Sequence, residues 1–245
     1  DPNVVTAPGT YTVAQALADI PTLSIVMEPD HLFGSANGIY THATQEAAVD
    51  PRWEKKCSAE YFYHPDYTGI YRTGEGFQID CGIAISGNFS RLTHNPKHSF
   101  RLKFKEEYGK SKLEFPIFPT SPVDEYDTLT LRTGHNQGWA TGIADTDMLR
   151  DQHARDIQGF DPAQSVSDGN HVHLYLNGKY WGIYFLSERP DDAFGAEHWG
   201  GAKEEYDAFK GLSAGGSTQA EMIGGNRTAW AAMYALAAQD TSDPA

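Results

Sequence analysis

The chain has 245 residues, 40% of them hydrophobic, enough for one large or two small globular domains with a filled core. Its 19 Lys and Arg stand against 33 Asp and Glu, a net charge of −14 that repels nucleic-acid phosphates and anionic membranes and argues against both as partners. No apolar run approaches the roughly 20 residues of a membrane helix, so membrane insertion is not expected, and Asp1 reads as an internal start without a signal peptide.

Residues 1–10, polar with two prolines, read as linker, and 1–20 as the segment leading into the domain. A short apolar strand follows at 23–27, then a loop at 30–40, rich in Gly and Asn. Segments 56–62 and 77–85 are strand-like and carry the two cysteines, Cys57 and Cys81. If these strands are neighbours the sulfurs come within bridging distance; a disulfide and two buried thiols both stay open, and a bridge would place the protein outside the cytoplasm. Gly87 and Asn88 interrupt the second strand as a turn requires. Asn88-Phe-Ser90 and Asn226-Arg-Thr228 match the glycosylation tripeptide, a pattern too short to carry weight.

Residues 99–104 alternate, with Phe100, Leu102 and Phe104 on one face and Ser99, Arg101 and Lys103 on the other. Around them Arg91, Lys97, Arg101, Lys103, Lys105, Lys110 and Lys112 gather seven of the chain's 19 cations, a local anion site in an acidic protein. The turn at 85–91 beside Arg101 and Lys103 pairs backbone N–H groups with charge and suits phosphate; a plain hairpin with a solvated cationic face is the alternative. Another strand is expected at 127–132 and a helix at 145–158, opened by capping residues. An acid on that helix, Asp151 or Asp156, is placed to hold Arg101 in the way kinases position a phosphate-directed cation.

The strongest local pattern is a β-hairpin at 171–186, turning at Asn177-Gly178, the favoured pair of a type I′ turn. Counted back from that turn, Leu174 faces Trp181 and Val172 faces Ile183 on a core side. His171, His173, Tyr175, Gly182 and Tyr184 then form a second side with a gap that could admit a flat ligand. His171 and His173 read as ordinary hairpin histidines in preference to a metal site. Pro190 ends the hairpin, acidic and glycine-rich loops run to Gly225, and an Ala-rich helix spans 227–239 with Trp230 and Met233 turned inward.

No Gly-x4-Gly-Lys-Ser/Thr loop, Gly-x-Ser-x-Gly elbow, His-Glu-x-x-His or Cys-x-x-Cys occurs, so hydrolase and zinc-protease readings lack support. Four stretches do combine in a recognisable order. They are Lys97-His-Ser-Phe-Arg-Leu-Lys-Phe-Lys-Glu-Glu-Tyr-Gly109, Leu129-Thr-Leu-Arg132, Leu149-Arg-Asp-Gln-His-Ala-Arg-Asp156 and His173-Leu-Tyr-Leu-Asn-Gly-Lys-Tyr-Trp-Gly-Ile-Tyr184 with Glu188-Arg-Pro190. Together they resemble the spore-coat protein H (CotH) kinase family, in particular its secreted bacterial multidomain members, over residues 20–240.

The resemblance implies an α+β, atypical protein-kinase-like nucleotide lobe with an antiparallel sheet and a helix at 21–190, and the start of a helical second lobe at 191–245. It implies ATP with Mg or Mn as cofactor and ATP-dependent phosphorylation of an extracellular or coat protein, by a secreted or cell-surface protein, with self-assembly open. Carried onto this chain, Gly87, Asn88, Ser90 and Arg91 form the turn over the phosphates, and Arg101 or Lys103 supplies the cation. Asp151 lies on the partner helix, Glu188 belongs to the strap beside adenine, and Tyr184 stacks on the base. The family's catalytic and metal-binding aspartates are expected beyond Ala245. Two rivals stand beside this reading. One is a non-catalytic structural or adhesion module using the aromatics Tyr61, Phe62, Tyr63, Tyr67 and Tyr71, and the other a carbohydrate-associated module stacking sugars on Trp139, Trp181 and Trp199.

Overall fold

The computed structural model describes residues 12–69, 72, 74–135, 148–161, 165–210 and 221–238. The chain divides into two compact units, Asp1–Arg189 and Pro190–Ala245.

In the first unit α1 (Val13–Ala18) starts at a capping box, in which Thr12 Oγ1 accepts from Gln15 N and Gln15 Oε1 from Thr12 N. It leads into β1 (Thr22–Val26) and then α2 (Pro29–Phe33), β2 (Lys55–Phe62), β3 (Phe77–Ser86) and β4 (Ser99–Lys103). A two-stranded ladder, β5 (Leu113–Glu114) with β6 (Glu125–Tyr126), precedes β7 (Thr128–Arg132). The unit continues with α3 (Arg150–Gln158), β8 (Gly169–Leu176) and β9 (Lys179–Glu188). Segment 30–40 is therefore not all loop: Pro29 supplies a preset φ at the first helical position and Leu32 is buried. The helix expected at 145–158 begins at Arg150, and 145–147 lie outside the described residues.

Seven strands close into a barrel in the order β1-β2-β3-β4-β7-β9-β8. Every neighbouring pair is antiparallel except β1 with β8, whose parallel pairing closes the sheet and removes its free edges. The alternation read from the sequence supplies the inward row. Leu23, Ile25, Ile83, Phe100, Leu102, Leu129, Leu131, Val172, Leu174 and Leu186 are all buried in one cluster. The chain is thus mixed α+β as expected, with its antiparallel sheet closed upon itself.

The Asn177-Gly178 turn has φ of 49° and 77°, the left-handed pair that a type I′ turn demands. It also fastens the closing seam, since Asn177 N donates to Ile25 O at 2.8 Å and Asn177 Oδ1 accepts from Met27 N at 2.8 Å. Beyond the turn the register departs from the one counted in sequence. Tyr175 pairs with Tyr180 but Leu174 pairs with Gly182, leaving Trp181 as the extra residue of a bulge, with Gly182 at φ 101°. Every later side chain on β9 changes face: Ile183 sits opposite His173, while Tyr184 sits opposite Val172 inside the barrel.

The second unit holds α4 (Asp192–Trp199), β10 (Ala208–Lys210) paired with β11 (Glu221–Gly224), and α5 (Thr228–Ala237). The loops expected from Pro190 to Gly225 thus contain a helix, capped by Asp191 Oδ1 accepting from Phe194 N at 3.3 Å. On α5, Trp230 packs against Phe209 and Tyr234 with ring centroids at 4.8 and 5.0 Å, whereas Met233, expected inside, is exposed.

Candidate functional site

The outward face of β4 carries the cations, and the structure adds a partner that sequence reading missed. Glu54 follows the short helix Pro51–Trp53 that leads into β2, and its side chain is only 4% exposed. Its carboxylate accepts from Lys103 Nζ and Lys105 Nζ, each at 2.5 Å, and from Tyr108 OH at 3.2 Å. Burial pushes the Glu54 carboxyl up, but hydrogen bonds and charge from the two lysines outweigh it and leave the group below the usual carboxylate value. Room for this cluster comes from Gly82, opposite Lys103 on β3, where a Cβ would lie 2.9 Å from Glu54 Oε1 and collide with the Tyr108 ring.

Arg101 stands two residues along the same face. Its Nη2 donates weakly to Ser86 Oγ at 3.4 Å, its Nε is buried with no hydrogen-bond partner, and among the described residues no carboxylate pairs with it. Asp151 does not take that place: it pairs with Arg132 at 3.1 Å and with Arg155 at 3.3 Å. The helix that carries it accordingly braces β7 and not β4.

Ser86 opens the turn, and Gly87 adopts φ 101°, where any side chain would strike Ser90 Oγ. Asn88 is exposed at the tip and Ser90 is buried below it. Arg91, expected over the phosphates, is committed elsewhere. Its guanidinium donates to the carbonyls of Gly87, of Gln45 at 3.0 Å and of Ile85 at 3.1 Å, so it ties the turn to the 45–46 loop and leaves little for a ligand.

Of the two residues assigned to adenine, Tyr184 sits where it cannot serve as expected. Tyr184 has 0% exposure inside the barrel, and its hydroxyl donates to His98 O at 3.0 Å, so no base can stack on its ring. Glu188, at the end of β9, is buried and accepts from Asp168 N at 2.7 Å and from Ser121 Oγ at 3.5 Å, a role in joining strand to loop. The hairpin histidines are structural as read: His173 Nε2 donates to Ala16 O at 3.0 Å and Nδ1 accepts from Tyr180 OH at 3.0 Å, while His171 Nε2 donates to Met148 O at 3.3 Å. Burial lowers both imidazoles below their usual value. Tyr61, Tyr63 and Tyr67 belong to the core, which removes most of the aromatic contact surface, and Tyr71 and Trp139 lie outside the described residues.

The closed α+β barrel thus carries on its outer face a strand lysine clamped by a buried glutamate, beside an arginine that pairs with no carboxylate among the described residues. The chain belongs to the CotH kinase family: the family model described as "CotH kinase protein" matches residues 83–226, more than half its length. No curated protein matches the chain.

Proposed function

We propose that the barrel is the nucleotide lobe of an atypical protein kinase, which takes ATP with Mg²⁺ or Mn²⁺ and serves phosphorylation of an extracellular or coat protein. The observation that carries this reading is the Lys103–Glu54 pair beside Arg101 in a chain of the CotH kinase family. A lysine held by a buried carboxylate is the device by which kinases aim a cation at nucleotide phosphates, and here Glu54 does what the sequence had suggested for Asp151.

The residues fit the phosphate end of such a ligand. Arg101 carries a buried, unsatisfied N–H and no counter-ion among the described residues, the Ser86 hydroxyl lies beside it, and Gly87 continues the turn. Among the described residues no group of three or more His, Cys, Asp or Glu could hold a metal, so metal ligands are assigned to none of them. ATP with its divalent ion supplies the transferable phosphoryl group and offsets its developing charge. This chain's own part is to bind and orient: Arg101 meets the phosphates, Glu54 fixes the Lys103 ammonium, and Arg91 holds the turn rigid. Division at residue 190 into this lobe and the start of a second, and a secreted or cell-surface location, belong to the same proposal.

Thermal melting of the full chain tests it. ATP with Mg²⁺ at a hundredfold excess over Kd raises Tm by about 5–10 °C, and Arg101→Ala removes the rise while leaving the Glu54 cluster intact. A rise that survives Arg101→Ala overturns the phosphate assignment; no rise with either metal favours the non-catalytic structural module.

A further inference from the structure

We propose that Cys57 and Cys81 close a disulfide inside the barrel when the chain folds in the presence of a small-molecule disulfide such as oxidised glutathione. The two residues are direct partners in the β2–β3 ladder, whose register runs without a break from Lys55↔Ile83 to Tyr61↔Phe77. Both side chains point inward, at 3% and 0% exposure, and their sulfurs lie 3.5 Å apart. Directly opposed residues of an antiparallel pair have Cα atoms about 4.5–5.5 Å apart, inside the range of about 4.4–6.8 Å that a disulfide spans. Bond formation then needs only side-chain rotation that brings the sulfurs about 1.5 Å closer, with no movement of either strand. The Lys56–Asp80 ion pair at 2.8 Å on the outer face pins the register beside the cysteines.

Timing follows from the burial. Its hydrogen bond with Cys81 and the surrounding apolar core push the Cys57 thiol up, so the closed barrel suppresses the thiolate that exchange requires. The bridge therefore forms while the β2–β3 hairpin is still open to solvent. One cysteine thiolate attacks glutathione disulfide, releasing a glutathione thiolate and leaving a mixed disulfide; the second cysteine thiolate attacks that bond and releases the other glutathione. Two protein thiols become one S–S bond, one glutathione S–S bond is broken, and the two thiol protons end on two glutathiones. Once the barrel shuts, it excludes reductants as it excluded oxidants.

The proposal does not depend on the nucleotide reading, and thiol counting tests it without a variant. The full chain is unfolded, refolded with oxidised glutathione, freed of it, then denatured and treated with iodoacetamide, and its mass is recorded. The expected result is no alkylation without reductant and two adducts after reduction. The refolded native protein should also keep its bridge through an hour in dithiothreitol, and the fully reduced form should melt about 6–12 °C lower. Two adducts without prior reduction, or glutathione left attached to either cysteine, would overturn the proposal.

Discussion

Lys97 reaches the bulge of β9, where its Nζ donates to Ile183 O at 2.7 Å and lies 4.2 Å from the Tyr184 ring centroid. Burial pulls this amine from 10.5 down to about 8. Between those values the unfolded chain binds more protons than the folded one, so this group's stability contribution is complete above pH 10.5 and is lost as pH falls towards 8. The tyrosines Tyr61 and Tyr184 and the Cys57 thiol, all raised with burial contributing, act in the opposite sense at high pH, so the quantity to read is a difference. In urea unfolding at a series of pH values, the stability of wild type relative to Lys97→Met should rise from pH 8 to 10; parallel curves would refute the buried amine.

Glu54 has a dependence of the same sign in an acid window. Its lowered carboxyl contributes stability above the ordinary value of 4.5 that is lost as pH falls through its folded value. Glu54→Gln should cost about 2 kcal/mol at neutral pH, since Lys103 and Lys105 lose a charge-assisted acceptor but still reach solvent. The cost should shrink in acid, which denaturation at pH 3 and pH 7 would show. Nothing local in the sequence announces Glu54, because its partners lie 49 and 51 residues downstream and meet it only when β2, β3 and β4 align. Arg91 misled for a related reason: its position in a turn suggested a ligand, and its acceptors, the 85 and 87 carbonyls and Gln45, appear only in the fold.

At the scale of elements, the β8–β9 hairpin divides what was legible from what was not. Its turn was plain, because Asn-Gly has a strong conformational preference. Its register was not, since a bulge adds one residue and inverts every later position, and Gly182, read as a gap beside aromatic rings, is the residue that makes it. Gly182→Ala should destabilise the barrel by about 1 kcal/mol or more, because φ 101° is unfavourable for any residue with a Cβ; chemical denaturation reads this directly, and an unchanged midpoint would contradict the bulge. The barrel strands at 99–104 and 127–132 were readable because alternation with one buried face has few rival explanations. The helix Asp192–Trp199 was hidden by glycines at 195, 200 and 201, with no apolar stripe to offset them.

For the whole molecule, the family was legible from the order of four short stretches, none decisive alone, and the family match over residues 83–226 bears that out. The closure of the sheet was not, because it depends on β1 joining β8 across some 150 positions of sequence, the separation of the Met27–Asn177 hydrogen bond. The central claim is that the outer face of β4 and the turn before it receive nucleotide phosphates. Hydrogen exchange followed by mass spectrometry, on the full chain with and without ATP and Mg²⁺, locates the ligand. The account predicts slowed exchange concentrated in peptides covering 86–91 and 99–105; unchanged exchange in both, with protection elsewhere or nowhere, would contradict it.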